Sequence, residues 1–156
     1  MSSAAIKDNI LHPNQFNTST GNDSFELWNK GNTVVAANNN TVLKTIYSPS
    51  PSGYVEPKSA AFTGFESANI SSSYNYGINY FCNPDKTGNT IFCYTNGHRD
   101  GGSSVISYWH YFCHHWTAGP TSSSNGFSFC CTTSGTLSTT NNDIRYHGFD
   151  MRLVLE

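Results

Sequence analysis

Charge is what this sequence has least of. Lys and Arg number 8 and Asp and Glu 10 among 156 residues, so charged side chains make up 12% of the chain, about half of the roughly 25% usual for a globular protein. The balance is −2, which supplies no basic surface for a polyanion and argues against nucleic acid as a partner. Lys occurs only at Lys7, Lys30, Lys44, Lys58 and Lys86, and between Asp100 and Glu156 the only carboxylates are Asp143 and Asp150. Acid/base chemistry needs positioned titratable groups, so the catalytic options are thin. No run approaches 18 consecutive apolar residues, and membrane insertion is not expected. The stretch Met1 to Lys7 lacks a basic segment followed by an apolar one, so no signal peptide is read in this chain. No two cysteines have C-x-x-C spacing, which removes the usual mark of a zinc ribbon.

Asn, Ser, Thr, Gly and aromatic residues take the place of charge. Aromatics alone are 14% of the chain and hydrophobic residues 37%, too apolar for an ordinary disordered segment and enough for one core. Residues 1–23 read as an N-terminal extension or a link to a longer chain, and residues 24–156 as one domain. Five cysteines, Cys82, Cys93, Cys113, Cys130 and Cys131, leave at least one unpaired. Free thiols in a reducing compartment are the expected state, with Cys82 to Cys93 the first candidate should a bridge form. On a strand, the adjacent Cys130 and Cys131 point to opposite faces and cannot serve one site.

The coarse pattern is β. Thr41 to Tyr47 is β-branched and alternating, and stops at the proline turn Ser48 to Tyr54. Ser59 offers an N-cap to one or two helical turns over Ala60 to Glu66. Tyr74 to Cys82 and Thr90 to Thr95 flank the turn formers Asn83 to Gly88 and predict a hairpin. Val105 to Trp109 reads as a further strand. Gly126 to Thr132 alternates, which sends Phe127, Phe129 and Cys131 to the core and Ser128, Cys130 and Thr132 outward. Thr133 to Arg145 is polar and predicts a loop before a last strand, Gly148 to Val154. An α+β class follows, strand- and loop-rich with one or two short helices.

Several stretches, in order, resemble one family. Lys44-Thr45-Ile46-Tyr47-Ser48-Pro49-Ser50-Pro51-Ser52-Gly53-Tyr54 resembles the entry K-T-x-Y-D-P-x-P-x-G-Y/W, and Ala61-Phe62-Thr63-Gly64-Phe65 resembles its sequel A-F-T-G-F. Gly88 to Phe92, Gly97 to Gly102, Tyr108-Trp109, Asn125 to Phe127 and Gly148 to Val154 are similar to the later landmarks, the last of them G-F-S-V-R-P-V. These mark the Fibrobacter-major-paralogous-type domains common in Bacteroidetes and their phages. The resemblance covers roughly residues 24 to 154 and implies a C-type lectin-like fold. Some domains of this kind are variable proteins of diversity-generating retroelements. The chain departs from the pattern at His110-Tyr111, where the family has Ser-Ser, and at Leu153, where it has Pro.

In such variable proteins adenines are randomised, so an Asn codon ending in a pyrimidine cannot become Lys, Glu, Gln, Met or Trp. From Ser103 to Phe149 there is no Lys, Glu, Gln or Met, while Tyr, His, Phe, Cys, Ser, Thr and Asn crowd the segment. A variable surface within about 103–149 is therefore expected, with Trp109 and Trp116 as scaffold or outside the randomised set.

His110-Tyr111-Phe112-Cys113-His114-His115-Trp116 holds six large side chains in succession that cannot all face a core. Tyr, Trp and His give large contact area at low rotamer cost, so the segment reads as a binding surface. Tyr111, His114 and His115 are expected on display, with at least one of Phe112 and Trp116 buried. Ser128, Cys130, Thr132, Asp143, Tyr146 and His147 complete the candidate ligand-binding set, and Arg145 is expected to tie down its loop. Asp143 and Arg145 could also pair at the surface, at little gain.

His110, His114 and His115, with Cys113, could ligate a metal, but a sequence-local cluster with no second shell is usually solvated. No metal or cofactor is therefore assigned. True C-type lectins carry E-P-N and W-N-D signatures for calcium and sugar; Glu56-Pro57-Lys58 and Trp28-Asn29-Lys30 resemble them only superficially. The same fold hosts formylglycine-generating enzymes, for which Cys113 with His114, or Cys130 with a distant His, would be the nearest arrangement. No third group is secured to orient such a pair, so no enzyme is expected.

These readings converge on a non-catalytic receptor-binding protein, at a phage tail or on a bacterial surface, that recognises a protein or glycan receptor on a target cell, as a homotrimer if it belongs to a tail fibre. An undiversified adhesive or structural module of a Bacteroidetes surface protein is the alternative.

Overall fold

The computed structural model describes residues 28–45, 48–73, 76–103 and 105–156. The proposed extension 1–23 lies outside them. β1 (Tyr54–Val55) follows the proline turn. A 3-10 turn, Ser67–Asn69, leads into an antiparallel sheet of β2 (Ile70–Ser73), β3 (Gly77–Phe81) and β4 (Thr90–Tyr94). The short pair β5 (His98–Arg99) and β6 (Ile106–Ser107) comes next. Then β7 (Phe112–Pro120), β8 (Asn125–Thr132) and β9 (Leu137–Ile144) run as an antiparallel meander. β10 (Asp150–Met151) lies parallel to β7, giving a sheet of order β10-β7-β8-β9, and β11 (Val154–Leu155) closes back antiparallel on β1.

The molecule is strand- and loop-rich, and the 3-10 turn is the sole helical element among the described residues. The hairpin predicted around residues 83–88 is β3–β4, in register from Gly77↔Tyr94 to Phe81↔Thr90. Elsewhere boundaries differ. In the expected strand 41–47, residues 46 and 47 lie outside the described set, and the rest makes only an isolated bridge, Lys44 to Asn29. Residues 59–64 are turns, held by Ala61 and Thr63 amides donating to the carbonyls of Lys58 and Ala60. Of Val105 to Trp109, only Ile106–Ser107 is strand, because Tyr108 and His110 take positive φ angles of 56° and 63° and turn the chain. The final segment is two short strands rather than one.

A further correction concerns Thr133 to Arg145. The predicted loop contains the eight-residue strand β9. Its Ser, Thr, Asn and Asp side chains give no apolar alternation, but an edge strand needs only one partner ladder. β8 supplies it, from Asn125↔Ile144 to Cys131↔Leu137, with an irregularity between Ser128 and Cys130.

Core formation explains why β7 and β8 are buried nearly throughout. One face of these strands packs with the β2–β4 sheet around Phe62, Ile70, Ile78, Tyr80, Cys93, Cys113, Phe129 and Cys131. Phe129 and Ile78 are each 1% exposed, and full burial of such side chains contributes about 1.5–3 kcal/mol apiece. The opposite face carries Phe112, His114 and Trp116 across from Thr132, Cys130 and Ser128. It is covered in turn by Phe149, His98 and His147. The alternation in β8 is therefore as read, but its outward half is not exposed: Ser128, Cys130 and Thr132 are buried beneath this second layer.

Candidate functional site

A cleft of about 450 Å³ opens over that second face. Its floor is Phe112 and His114 of β7 with Cys130 and Thr132 of β8, and one wall is Ser138, Asn141 and Asp143 of β9. His98, Asp100, Tyr108 and His147 close the other side. Strand alternation sets the floor, because residues i and i+2 share a face and cross-strand partners lie side by side.

The floor is an aromatic stack. His114 lies between Phe112 and Phe149, with ring centroids 5.0 and 4.3 Å away and planes tilted by 14° and 15°. Phe149 also stacks on Trp116 at 4.6 Å and meets His98 edge-on at 5.0 Å. Trp116 continues to Trp28 at 6.1 Å and donates its indole N–H to the His147 carbonyl. Above the floor the groups are polar. Asp143 accepts hydrogen bonds from Ser128 Oγ and, at 2.8 Å, from Asn141 Nδ2. Asp100 Oδ1 accepts from the Gly102 and Ser103 amides at 2.8 and 2.9 Å, which holds its carboxyl below the usual range.

Burial lowers the pKa of His114 to about 4. Asp143 pulls it upward, while His98, His115 and His147 push it further down. Burial likewise holds His98 below the ordinary histidine value, aided by His147. Both rings are therefore neutral at pH 7, and their buried Nδ1 atoms have no partner within the described residues. Burial, with the Asp143 charge, pushes the Cys130 thiol up to about 12. A protonated thiol beside a neutral imidazole is a weak nucleophile.

Tyr108 of the lining is exposed, and aromatics elsewhere are exposed with it: Tyr108 and Trp109 are each 58% exposed, and Tyr76, Tyr94 and Tyr111 are also open to solvent. His110 stacks on Tyr76 with centroids 3.8 Å apart, and the Tyr111 hydroxyl lies 3.3 Å from Ser134 Oγ. The left-handed backbone at Tyr108 and His110 is uncommon outside glycine and costs about 1 kcal/mol or more at each, a form of strain that concentrates at binding and catalytic sites.

The candidate residues read from the sequence separate by their place around the cleft. Phe112, His114, Cys130, Thr132, Asp143 and His147 line the cleft. His110 and Tyr111 lie exposed in the segment just before β7, Trp116 and Ser128 continue the floor's face beyond the lining, buried against Phe149 and Asp143, and Tyr146 packs against Gly101. His115 is the correction. It is 9% exposed and points to the opposite face, stacked near Phe129 with planes 10° apart, because it follows His114 on a strand. The His110–His114–His115–Cys113 metal set is divided by the same alternation. His114 is 5% exposed, so its display is limited to its edge in the cleft.

Comparison of the chain with protein-family models, with curated proteins and with solved structures gives no match. Function is therefore argued from the cleft. Sequence reading missed His98, Asp100, Tyr108, Ser138, Asn141 and the hub Phe149. His98 and Asp100 lie within the landmark Gly97 to Gly102, but nothing local indicates that this loop folds over β7. One group here, His98, Asp100 and His147, has ligating atoms all within 4.8 Å and could hold a cation. However, its Asp100 Oδ1 and His147 Nδ1 already accept the amides of the intervening loop. Arg145 donates to the Ser123 carbonyl at 2.9 Å and links β9 to the β7–β8 turn, the anchoring role read from the sequence. No helix of the described residues is long and apolar enough to cross a membrane.

Proposed function

We propose that the protein is a non-catalytic ligand-binding domain of C-type lectin-like type, a retroelement-diversified variable protein that recognises a protein or glycan receptor at a phage tail or bacterial surface. The observation that carries this reading is the cleft. Its floor comes from β7 and β8 and its wall from β9, all within the segment 103–149 that lacks Lys, Glu, Gln and Met. Neutral imidazoles, hydroxyls, an amide and the Asp100 and Asp143 carboxylates over an aromatic floor suit a polar ligand without negative charge, held by hydrogen bonds and stacking. The long loops and the pairing of β1 with β11, which brings Tyr54–Val55 to Val154–Leu155, favour the C-type lectin-like arrangement. A non-catalytic role is favoured by the high pKa of Cys130 beside a neutral His114, which leaves this thiol unactivated as a nucleophile. In a tail fibre a homotrimer would multiply weak single-site contacts.

The test is to sequence the gene and its surroundings in many isolates. Substitutions concentrated at the cleft and exposed aromatic positions, beside a reverse transcriptase gene and a template repeat differing only at adenines, are the expected result. Substitutions spread evenly over residues 1–156, with neither neighbour present, overturn it. In a direct binding assay against cell-surface glycans and proteins, Asp143→Ala and Tyr111→Ala are each expected to weaken binding by about tenfold, the loss of one good contact.

A further inference from the structure

The other face of the same sheet holds a second cluster. Cys93 on β4, Cys113 on β7 and Cys131 on β8 bring their sulfur atoms within 4.8 Å of one another, at exposures of 3%, 0% and 2%. Cys113 and Cys131 are cross-strand partners, while Cys93 arrives from the facing sheet. His115 lies on the same face as Cys113, two residues on, with Nε2 3.4 Å from Cys113 Sγ. Its Nδ1 is buried without a partner. Phe62 and Phe129 wall the imidazole at 6.5 and 6.0 Å.

Geometry and ligand chemistry then agree. With zinc–sulfur bonds of about 2.3 Å and zinc–nitrogen bonds of about 2.0 Å, a tetrahedral centre has S···S edges of about 3.8 Å and S···N edges of about 3.5 Å. The Cys113–His115 separation already matches the second, and the thiols need draw in by about 1 Å at most to meet the first. His115 lies outside the 4.8 Å group and must shift toward the other sulfurs to complete the set. We propose that Cys93, Cys113, Cys131 and His115 bind one zinc-class divalent cation in a closed structural site that ties the β2–β4 sheet to the four-stranded sheet. Three thiols release their protons to solvent as the ion binds, leaving a four-ligand centre of net charge −1. Soft thiolates with one imidazole select zinc over magnesium or calcium. Cysteine alone can act as a small apolar core residue. Apolar packing alone does not call for a buried histidine against these sulfurs, and His115 presents its Nε2 to the Cys113 sulfur. This site is independent of the ligand-binding reading, since it lies on the opposite face.

The experiment measures metal in the full chain, purified without chelators from zinc-supplemented medium, by inductively coupled plasma mass spectrometry. About one zinc per chain is expected. Exchange for Co(II) should give intense visible bands and a thiolate charge-transfer band typical of tetrahedral coordination. Cys82→Ser, at an exposed thiol, should keep these bands. Cys131→Ser should weaken Co(II) affinity by at least about tenfold, and His115→Asn should shift the bands. Stripping the metal should lower the Tm. Should Cys131→Ser fail to fold, the wild-type titration still decides. Wild-type protein that carries less than about a tenth of an equivalent of zinc and shows no thiolate bands after refolding with Zn(II) or Co(II) overturns the proposal. A disulfide among the three cysteines overturns it as well.

Discussion

His114 illustrates how one residue couples the cleft to pH. An unfolded histidine titrates near 6.5, while burial lowers this one to about 4 in the fold. Between those values the unfolded chain binds a proton that the folded chain refuses, so stability is complete above about 6.5 and falls as pH drops toward 4. His98, shifted in the same direction, adds to the loss. Partial solvent access limits the His114 contribution to about 1–2 kcal/mol at pH 5. Urea unfolding at pH 7 and pH 5 should show this decrease in the wild type and a smaller one in His114→Phe, which keeps the stack between Phe112 and Phe149. Equal decreases in both proteins would refute the assignment.

Among the elements, the loop from Tyr108 to Tyr111 depends most on a single position. Gly97 has φ +66°, and a Cβ there would press on the Ser107 carbonyl and approach the Trp109 amide nitrogen to 2.8 Å. Gly97→Ala is expected to cost about 2 kcal/mol or more, combining a left-handed backbone with an overlap against backbone atoms that cannot give way. Gly135, with φ +87° and nothing near its missing Cβ, provides the comparison. Gly135→Ala should cost only about 1 kcal/mol in thermal or denaturant unfolding. Equal losses at the two positions would remove the steric argument.

Legibility in the sequence also varied by element, for physical reasons. β8 could be read because Phe127 and Phe129 alternate with small residues, and β3–β4 because Asn, Pro, Asp and Gly mark their turn. β9 could not, since Leu137-Ser138-Thr139-Thr140-Asn141-Asn142-Asp143-Ile144 owes its extended form to the β8 ladder rather than to its own burial. The cleft was half visible. Its β7, β8 and β9 residues lie in a segment of unusual composition, whereas His98 and Asp100 reach it only through tertiary folding. His115 was misplaced because neighbouring histidines look alike in composition while a strand sends them to opposite sides.

At the scale of the whole molecule, closure depends on β1 and β11. Val55 is 7% exposed and belongs to a small core cluster with Val42 and Ala118, and its strand partner is Val154. The Glu156 amide donates to the Gly53 carbonyl at 3.1 Å. Removing residues 154–156 strips this ladder and should cost about 1–2 kcal/mol, roughly 3–8 °C in Tm for a domain of this size. An unchanged Tm would show that the β1–β11 ladder contributes nothing to cooperative unfolding.

The two-sided character of β7 and β8 also bears on how such a protein can change over generations. Phe112, His114, Cys130 and Thr132 belong to the cleft face, while Cys113, His115, Phe129 and Cys131 belong to the interior. Inserting or deleting one residue here would exchange the two sets at a stroke, putting interior groups in the cleft and cleft groups in the interior. A change confined to the cleft is therefore a replacement at alternate positions, which leaves the length and register of both strands as they are.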